Sequence, residues 1–265
     1  MDESTIVKEN YDSDPLREWN RLEGFHYEFE ITSKIMSRYM KKGKILDIGG
    51  GPGRYSIHLA KMGYDVTLAD LSDGNVALAK EMADKEGVRI EAFQADARDL
   101  SALHLDEYDY VLLMGPLYHL FKESDRKKCV EETKKHLKKD GLIYASFISV
   151  SAGINYYLDE NPDALIDDPA QDLFDRMTEN QSWSGTAFTE ATFINNLEIL
   201  PFFEQLGFKK LTLFGQEGIC GTRLSHLESA CESVRKRYLE ISLDLCENPQ
   251  YFAYSNHMMY VGKYI

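Results

Sequence analysis

The sequence predicts an α/β protein: a mostly parallel sheet with helices on both faces. Three observations lead there. Short, wholly apolar runs alternate with helical stretches from Lys44 onward, a glycine-rich turn joins the first such strand to a helix, and carboxylates end three successive strands. Strands buried on both faces read as continuous apolar runs, and their alternation with helices marks βαβ units.

The elements follow in order. Residues 1–14 are polar and acidic; Leu16, Trp19, Phe25, Phe29 and Ile35 then recur at helical spacing, predicting one or two amphipathic helices up to about Met40. Strands are expected at 45–48, 65–69, 88–94, 108–114 and 142–148. Helices are expected at 53–62, at 74–86 with Ser72 or Asp73 as cap, and at 123–138, stopped by Asp140-Gly141. Residues 150–198 break the rhythm with Pro162 and an aromatic stretch from Trp183 to Phe188, and read as a mostly helical insertion. A helix at 200–206, a strand at 208–216, a long amphipathic helix at 222–246 and a strand at 251–264 complete the chain. The expected organisation is an N-terminal helical cap (1–40), a core (41–149 and 199–265) and a substrate-capping insertion (150–198).

The chain has 265 residues, 43% of them hydrophobic, and carries a formal charge of −14. That composition suits a folded core and excludes a disordered chain. Nucleic-acid binders rely on a basic face, so no nucleic-acid partner is expected. No apolar run reaches membrane-spanning length, so no membrane partner is expected either. Cys129, Cys220, Cys231 and Cys246 form no CxxC pair and have no histidine at zinc spacing. They read as reduced thiols of a cytoplasmic protein without a metal centre, a monomer or homodimer.

The informative stretch runs Ile45-Leu46-Asp47-Ile48-Gly49-Gly50-Gly51-Pro52-Gly53, where the first strand turns into a helix. Glycine permits positive φ and close backbone approach to a ligand. A pyrophosphate site wants backbone N–H groups and a helix N-terminus around the anion. A carboxylate at Asp47 repels phosphate and suits an α-ammonium group. Asp70, followed by Leu71, ends the second strand, where a carboxylate can accept both ribose hydroxyls. Asp96, followed by Ala97, ends the third and can accept from an adenine amino group.

On these residues the chain resembles the class I S-adenosylmethionine-dependent methyltransferases. Asp47–Gly53 matches their first motif, Asp70 the second, and Asp96-Ala97 the third; the resemblance covers about residues 40–150 and 200–265. It implies a Rossmann-like seven-stranded sheet in order 3-2-1-4-5-7-6 with the last strand antiparallel. It implies S-adenosyl-L-methionine as cofactor and S-adenosyl-L-homocysteine as product. Gly49 and Gly51 would line the methionine part, Asp70 the ribose, and Asp96 with the Ala97 N–H the adenine, with Gly50, Gly53, Leu71 and Met114 as further cofactor-binding candidates. It also suggests that the segment from Tyr11 to Arg21 closes over the cofactor, with Tyr11 or Arg21 meeting its carboxylate.

The fourth strand runs into Met114-Gly115-Pro116-Leu117-Tyr118-His119. Methyl transfer needs a nucleophile aimed at the methyl and, for a hydroxyl or amine, a base of near-neutral pKa. His119 is the candidate base and Tyr118 the candidate orienter of the acceptor. Enzymes that methylate base amines or protein glutamine carry Asn/Asp-Pro-Pro-Tyr/Phe here; Gly115-Pro116-Leu117-Tyr118 departs from that pattern. The expectation is methyl transfer to a small, partly apolar metabolite, with O-methylation preferred because of His119. Tyr156, Tyr157, Phe174, Trp183 and Phe188 form either a lid over an apolar acceptor or the small core of the insertion, and either Arg223 or His226, opening the long helix, could face the same cavity. The rivals are a cofactor-binding regulator without transfer activity and a nicotinamide oxidoreductase. Against the latter, the loop lacks Gly-x-Gly-x-x-Gly spacing.

Overall fold

The structure is a computed structural model describing residues 3–24, 26–166, 168–222 and 224–265; Phe25 and Arg223 lie outside the described residues. Three helices come first, α1 (Glu3–Ser13), α2 (Pro15–Gly24) and α3 (His26–Tyr39). The core follows as β1 (Lys44–Ile48), α4 (Arg54–Lys61), β2 (Asp65–Asp70), α5 (Asp73–Lys85), β3 (Glu91–Gln94), β4 (Tyr108–Leu113), α6 (Glu123–Lys134) and β5 (Leu137–Ser149). The insertion contributes α7 (Val150–Glu160), α8 (Asp168–Thr178) and a hairpin of β6 (Trp183–Thr186) with β7 (Glu190–Ile194). The chain ends with α9 (Asn196–Gln205), β8 (Phe208–Gly215), α10 (Leu224–Glu228), α11 (Glu232–Leu245) and β9 (His257–Tyr264).

Strands β3-β2-β1-β4-β5 lie side by side and parallel. Beyond β5 come β9, antiparallel, and then β8. With β8 and β9 counted as the sixth and seventh core strands, this is the expected 3-2-1-4-5-7-6 order.

Period-two alternation sorts side chains to the two faces. Leu46, Ile48, Val111, Leu113, Ile143 and Ala145 enter one core, with Val130 of α6 and Phe203 of α9. Ile45, Tyr110, Leu112 and Tyr144 enter the other, with Ile31 and Ile35 of α3 and Leu59 of α4. Asp47 shares the parity of Ile45, so its carboxylate is carried to the α3–α4 side at the strand's end.

Several elements differ from expectation, each for a local reason. The polar segment 1–14 is helical over Glu3–Ser13, with Val7 its buried residue. The insertion is helical through Thr178 and then becomes a hairpin. β7 pairs with β5 through Ile148↔Phe193 and Ser149↔Ile194, past the point where the β4 ladder stops at Leu113↔Ala145. The hairpin therefore continues the sheet above the end of β4. The long C-terminal helix is two: α10 ends where the Arg235 guanidinium takes the Glu228 and Ala230 carbonyls, and Cys231 starts α11 in extended backbone. Residues 249–254 form a 3-10 turn, with Pro249 in its first turn and the Asn248 side chain accepting from Gln250 N–H.

Candidate functional site

The turn after β1 is set by backbone bonds. Gly49 N–H donates to Ala69 O at 2.7 Å, and Gly53 N–H to Gly50 O at 3.0 Å. Gly49 has φ 71°, and a Cβ there would stand 2.4 Å from Pro116 Cδ, so only glycine lets the Gly115-Pro116 turn close over the loop. Gly51, at φ 56°, meets nothing nearer than Glu18 Cγ at 3.8 Å and borders open cavity.

The cavity crosses the C-terminal edge of the sheet, from the Asp96 loop after β3 to Gln216 and His257 at the ends of β8 and β9. It encloses about 1190 Å³ of empty space counted out to its open mouth. Of the residues singled out in the sequence, Tyr11, Arg21, Asp47, Gly49, Gly50, Gly51, Asp70, Leu71, Asp96, Ala97, Met114, Tyr118 and His119 all border it. Gly53 does not. It sits at the N-cap of α4 with φ 84°, where a Cβ would meet Ala79 Cβ at 3.1 Å; its role is helix packing.

The three strand-end acids occupy different environments. Asp47 is buried and accepts from Ser56 Oγ at 2.7 Å. Burial raises its pKa to about 7, with Ser56 opposing and Asp70 adding to the rise. Asp70 accepts from Gly51 N–H at 2.8 Å, Ser72 N–H at 2.9 Å and Asn75 Nδ2 at 3.2 Å; burial raises it despite those donors. In Asp96, burial works against ionisation, but the Arg98 guanidinium (Nη2–Oδ2 2.6 Å) and backbone N–H hold it below the usual carboxylate range.

A cationic adenosine compound fits this donor set on one further observation. Asn75 is 2% exposed and borders the cavity, and its Oδ1 has no hydrogen-bond partner. A buried acceptor without a donor is costly, and a ligand hydroxyl beside Asp70 would supply one.

His119 differs from the expected free base. Its Nδ1–H donates to Glu190 O of β7 at 2.8 Å, and its Nε2 accepts from the Tyr11 hydroxyl of α1 at 2.9 Å. Burial lowers its pKa to about 4, so the ring is neutral at pH 7 with both nitrogens engaged. Tyr118 donates to Met114 O at 3.1 Å, and burial raises its pKa. Arg21 is held by Glu18 (2.9 Å) and Glu28 (2.8 Å). Of the expected lid aromatics, Phe188 reaches the site, edge-on to His119 at 6.0 Å, whereas Tyr157 packs on Phe174 and Trp183 on Phe193. His226 is exposed. Cys220 is buried beside Ser242 Oγ with its thiol pKa raised, and is no nucleophile.

The cavity also holds residues that the sequence did not mark: Glu18, Glu28, Tyr55, Ser146, Gln216 and His257. They come from α2, α3, α4, β5, the residue after β8, and β9, so no local spacing links them. Glu28, Glu217 and His257 bring ligand atoms within 4.8 Å of one another, a spacing that would admit an ion. The His257 Nδ1–H already fills Glu217 Oε1 at 2.6 Å, so the set is a hydrogen-bonded dyad beside a carboxylate.

In its sheet order and fold the chain is similar to class I S-adenosylmethionine-dependent methyltransferases. Residues 45–141 match the family model described as a methyltransferase domain. The chain is 32% identical over 145 residues to a glycine/sarcosine N-methyltransferase of Parasynechococcus marenigrum (strain WH8102), covering 53% of this chain and 51% of the relative. It is 30% identical over 121 residues to a ubiquinone biosynthesis O-methyltransferase of Rickettsia canadensis (strain McKiel), covering 45% and 49%. The chain thus spans about half the length of the relatives it matches. In fold it is similar to the magnesium protoporphyrin IX methyltransferase of Synechocystis PCC 6803 with bound S-adenosylhomocysteine (TM-score 0.61, 13% identity, all of both chains). It is equally similar to a possible histamine N-methyltransferase of Thermotoga maritima (TM-score 0.61, 14% identity, 97% and 99% covered). Among the described residues no helix is long and apolar enough to cross a membrane.

Proposed function

We propose that this protein transfers the methyl group of S-adenosylmethionine to a small-molecule acceptor. One observation carries the reading: Asp47, Asp70 and Asp96, at the ends of three adjacent strands, border one cavity around the Gly49–Gly51 turn. When bound, the cofactor supplies a methyl group already activated on a positively charged sulfur. The chain's own residues bind and position. Asp47 faces the α-ammonium, Asp70 with Asn75 the ribose hydroxyls, Asp96 and the Ala97 N–H the adenine, and Leu71 and Met114 the apolar surfaces between. Tyr11 and Arg21 close the cavity from α1 and α2.

The acceptor end is of mixed character, with Met114, Pro116 and Leu120 as apolar walls and Glu28, Ser146, Gln216 and His257 as polar ones. That fits a small, partly apolar metabolite carrying a polar group, and the charge of −14 favours such an acceptor over nucleic acid. Buried, unpaired Cys129, Cys220 and Cys246 suit a reducing compartment such as the cytoplasm. The preference for O-methylation rests on His119, whose two ring nitrogens are both occupied.

Calorimetric titration with S-adenosylmethionine, S-adenosylhomocysteine and NAD tests the cofactor. The first two bind and NAD does not. Release of S-adenosylhomocysteine across a metabolite panel then tests transfer; binding with no turnover on any acceptor would favour a regulator.

A further inference from the structure

One end of the cavity has a charged apparatus that cofactor binding does not use. His257 opens β9, borders the cavity, and donates Nδ1–H to Glu217 Oε1 at 2.6 Å. Glu217 is fully buried, and its Oε2 accepts from the Ser255 hydroxyl (2.5 Å) and the N–H groups of Asn256 (3.1 Å) and His257 (3.0 Å). Four donors thus fix the carboxylate. Burial opposes its charge, but His257 and these hydrogen bonds keep it ionised, below the usual range. With Nδ1 committed as donor, the neutral ring carries its lone pair on Nε2, which has no hydrogen-bond partner among the described residues.

Next to it stands Glu28, 4% exposed. Its Oε2 takes an Arg21 guanidinium N–H at 2.8 Å and lies 3.9 Å from His257 Nδ1. Its Oε1 receives no donor among the described residues. Tyr55 lines the same cavity; the residue is 8% exposed, and its buried hydroxyl, near Thr32, has no hydrogen-bond partner. Glu28, Tyr55 and His257, which carry an unused carboxylate oxygen, an unpartnered buried hydroxyl and a free imidazole nitrogen, therefore line the same cavity.

We propose that His257, oriented by Glu217, is the base that deprotonates an amine acceptor, and that Glu28 and the Tyr55 hydroxyl hold that acceptor's nitrogen. This deepens the methyl-transfer reading and rests on it. An ammonium is attracted by Glu28, whereas the oxyanion developing from an alcohol or phenol would be repelled by it. The balance is simple. The ammonium gives one proton to His257 Nε2, the freed nitrogen pair forms a bond to the methyl carbon, and the carbon–sulfur bond breaks with its electrons staying on sulfur. The product is an N-methylammonium, still complementary to Glu28, and His257 passes its proton to water.

The groups facing His257 set the pH dependence. Burial lowers its pKa, Glu217 and Glu28 raise it, Arg21 lowers it, and the net direction is upward from 6.5. Turnover therefore rises with pH through a value above 6.5. Removing Glu217's charge shifts that limb downward.

The test uses the full chain saturated with S-adenosylhomocysteine. NMR titration of the His257 ring should give a pKa above 6.5, lowered by about one pH unit or more in Glu217→Gln. Calorimetry should show benzylamine or ethanolamine binding at least tenfold more tightly than benzyl alcohol or ethylene glycol, a margin lost in Glu28→Gln. His257→Asn keeps a donor for Glu217 but deletes Nε2. It should cut kcat on the better-bound amine by roughly 10²–10⁴ while KM and the S-adenosylhomocysteine Kd stay within about twofold. It also covers the case that Glu217→Gln does not fold. The proposal is overturned if His257 titrates below 6.5, if the alcohols bind as well as the amines, if neither amine binds at millimolar concentration, or if His257→Asn retains full kcat. Failure of S-adenosylhomocysteine itself to bind would instead overturn the cofactor reading beneath it.

Discussion

Asp47 is the residue whose chemistry is most open to test. Its one donor among the described residues is Ser56 Oγ, and burial lifts its pKa to about 7. A ligand ammonium beside it favours the charged form, so binding should expel a proton near neutrality. S-adenosylmethionine affinity is expected to climb as pH rises from 6 to 8. Calorimetry in buffers of different ionisation enthalpy should register the released proton, and Asp47→Asn should abolish both effects while weakening binding by about 1.5–3 kcal/mol. His119 gives the opposite expectation. Because its pKa lies near 4 and both nitrogens are engaged, His119→Gln should lower kcat through loss of the Tyr11 and Glu190 contacts yet leave the shape of the pH profile between 6 and 9 unchanged. A pH limb that vanishes in this variant would restore His119 as base. Asp47 and Asp70, at the C-terminal ends of β1 and β2, and Asp96, two residues beyond β3, were legible because each closes a short strand-forming run. Glu28 and His257 were not: one sits within an amphipathic helix, the other 229 positions further on, and only the folded sheet joins them.

At the scale of elements, α1 is the part to probe. It lies across the cavity mouth, tied by Asp12 accepting from Ser72 Oγ (2.5 Å) and Gly74 N–H (3.2 Å), by Arg98 donating to Ser4 Oγ (2.7 Å), and by Tyr11 on His119. Lys8 adds ion pairs to Asp12 and Asp73, but these part-exposed pairs are worth about 1 kcal/mol or less. Asp12→Ala removes the contacts at the N-terminus of α5. Stopped-flow displacement should then show faster S-adenosylhomocysteine release, by about five- to thirtyfold for 1–2 kcal/mol of lost closure, with proteolysis appearing within residues 3–13. The sequence marked this segment as polar and acidic because α1 buries only Val7 fully, too little to leave an apolar stripe. The β6–β7 hairpin was hidden for a related reason. Its strands have four and five residues, Gly185 interrupts one, and their pairing is justified only by the free edge of β5 beyond β4. The central strands β1, β2, β4 and β5 were readable because burial on both faces forces apolar runs, and burial is what hydrophobicity reports.

For the molecule as a whole, site and stability pull against each other. Asp47's native pKa stands above its unfolded value, so the folded chain holds a proton that the unfolded chain has lost between pH 4 and 7. Folding stability contributed by this group is present below the unfolded pKa, declines as pH rises through that window, and stays lost above it, at about 1.4 kcal/mol for each tenfold difference in proton affinity between the two states. A bound cation reverses the penalty by favouring the charged carboxylate. Ligand at a hundred times its Kd stabilises the fold by about 2.7 kcal/mol, which for a chain of this size raises Tm by roughly 5–10 °C. Calorimetric scans at pH 8 should therefore show S-adenosylhomocysteine producing that rise and NAD producing none. Asp47→Asn should melt higher than the natural chain without ligand, since a buried charge with one donor has been removed, and should lose most of the ligand-dependent rise. If the variant instead melts lower without ligand and keeps the full rise, Asp47 is a structural strut and the cation-seeking character of the cavity lies elsewhere.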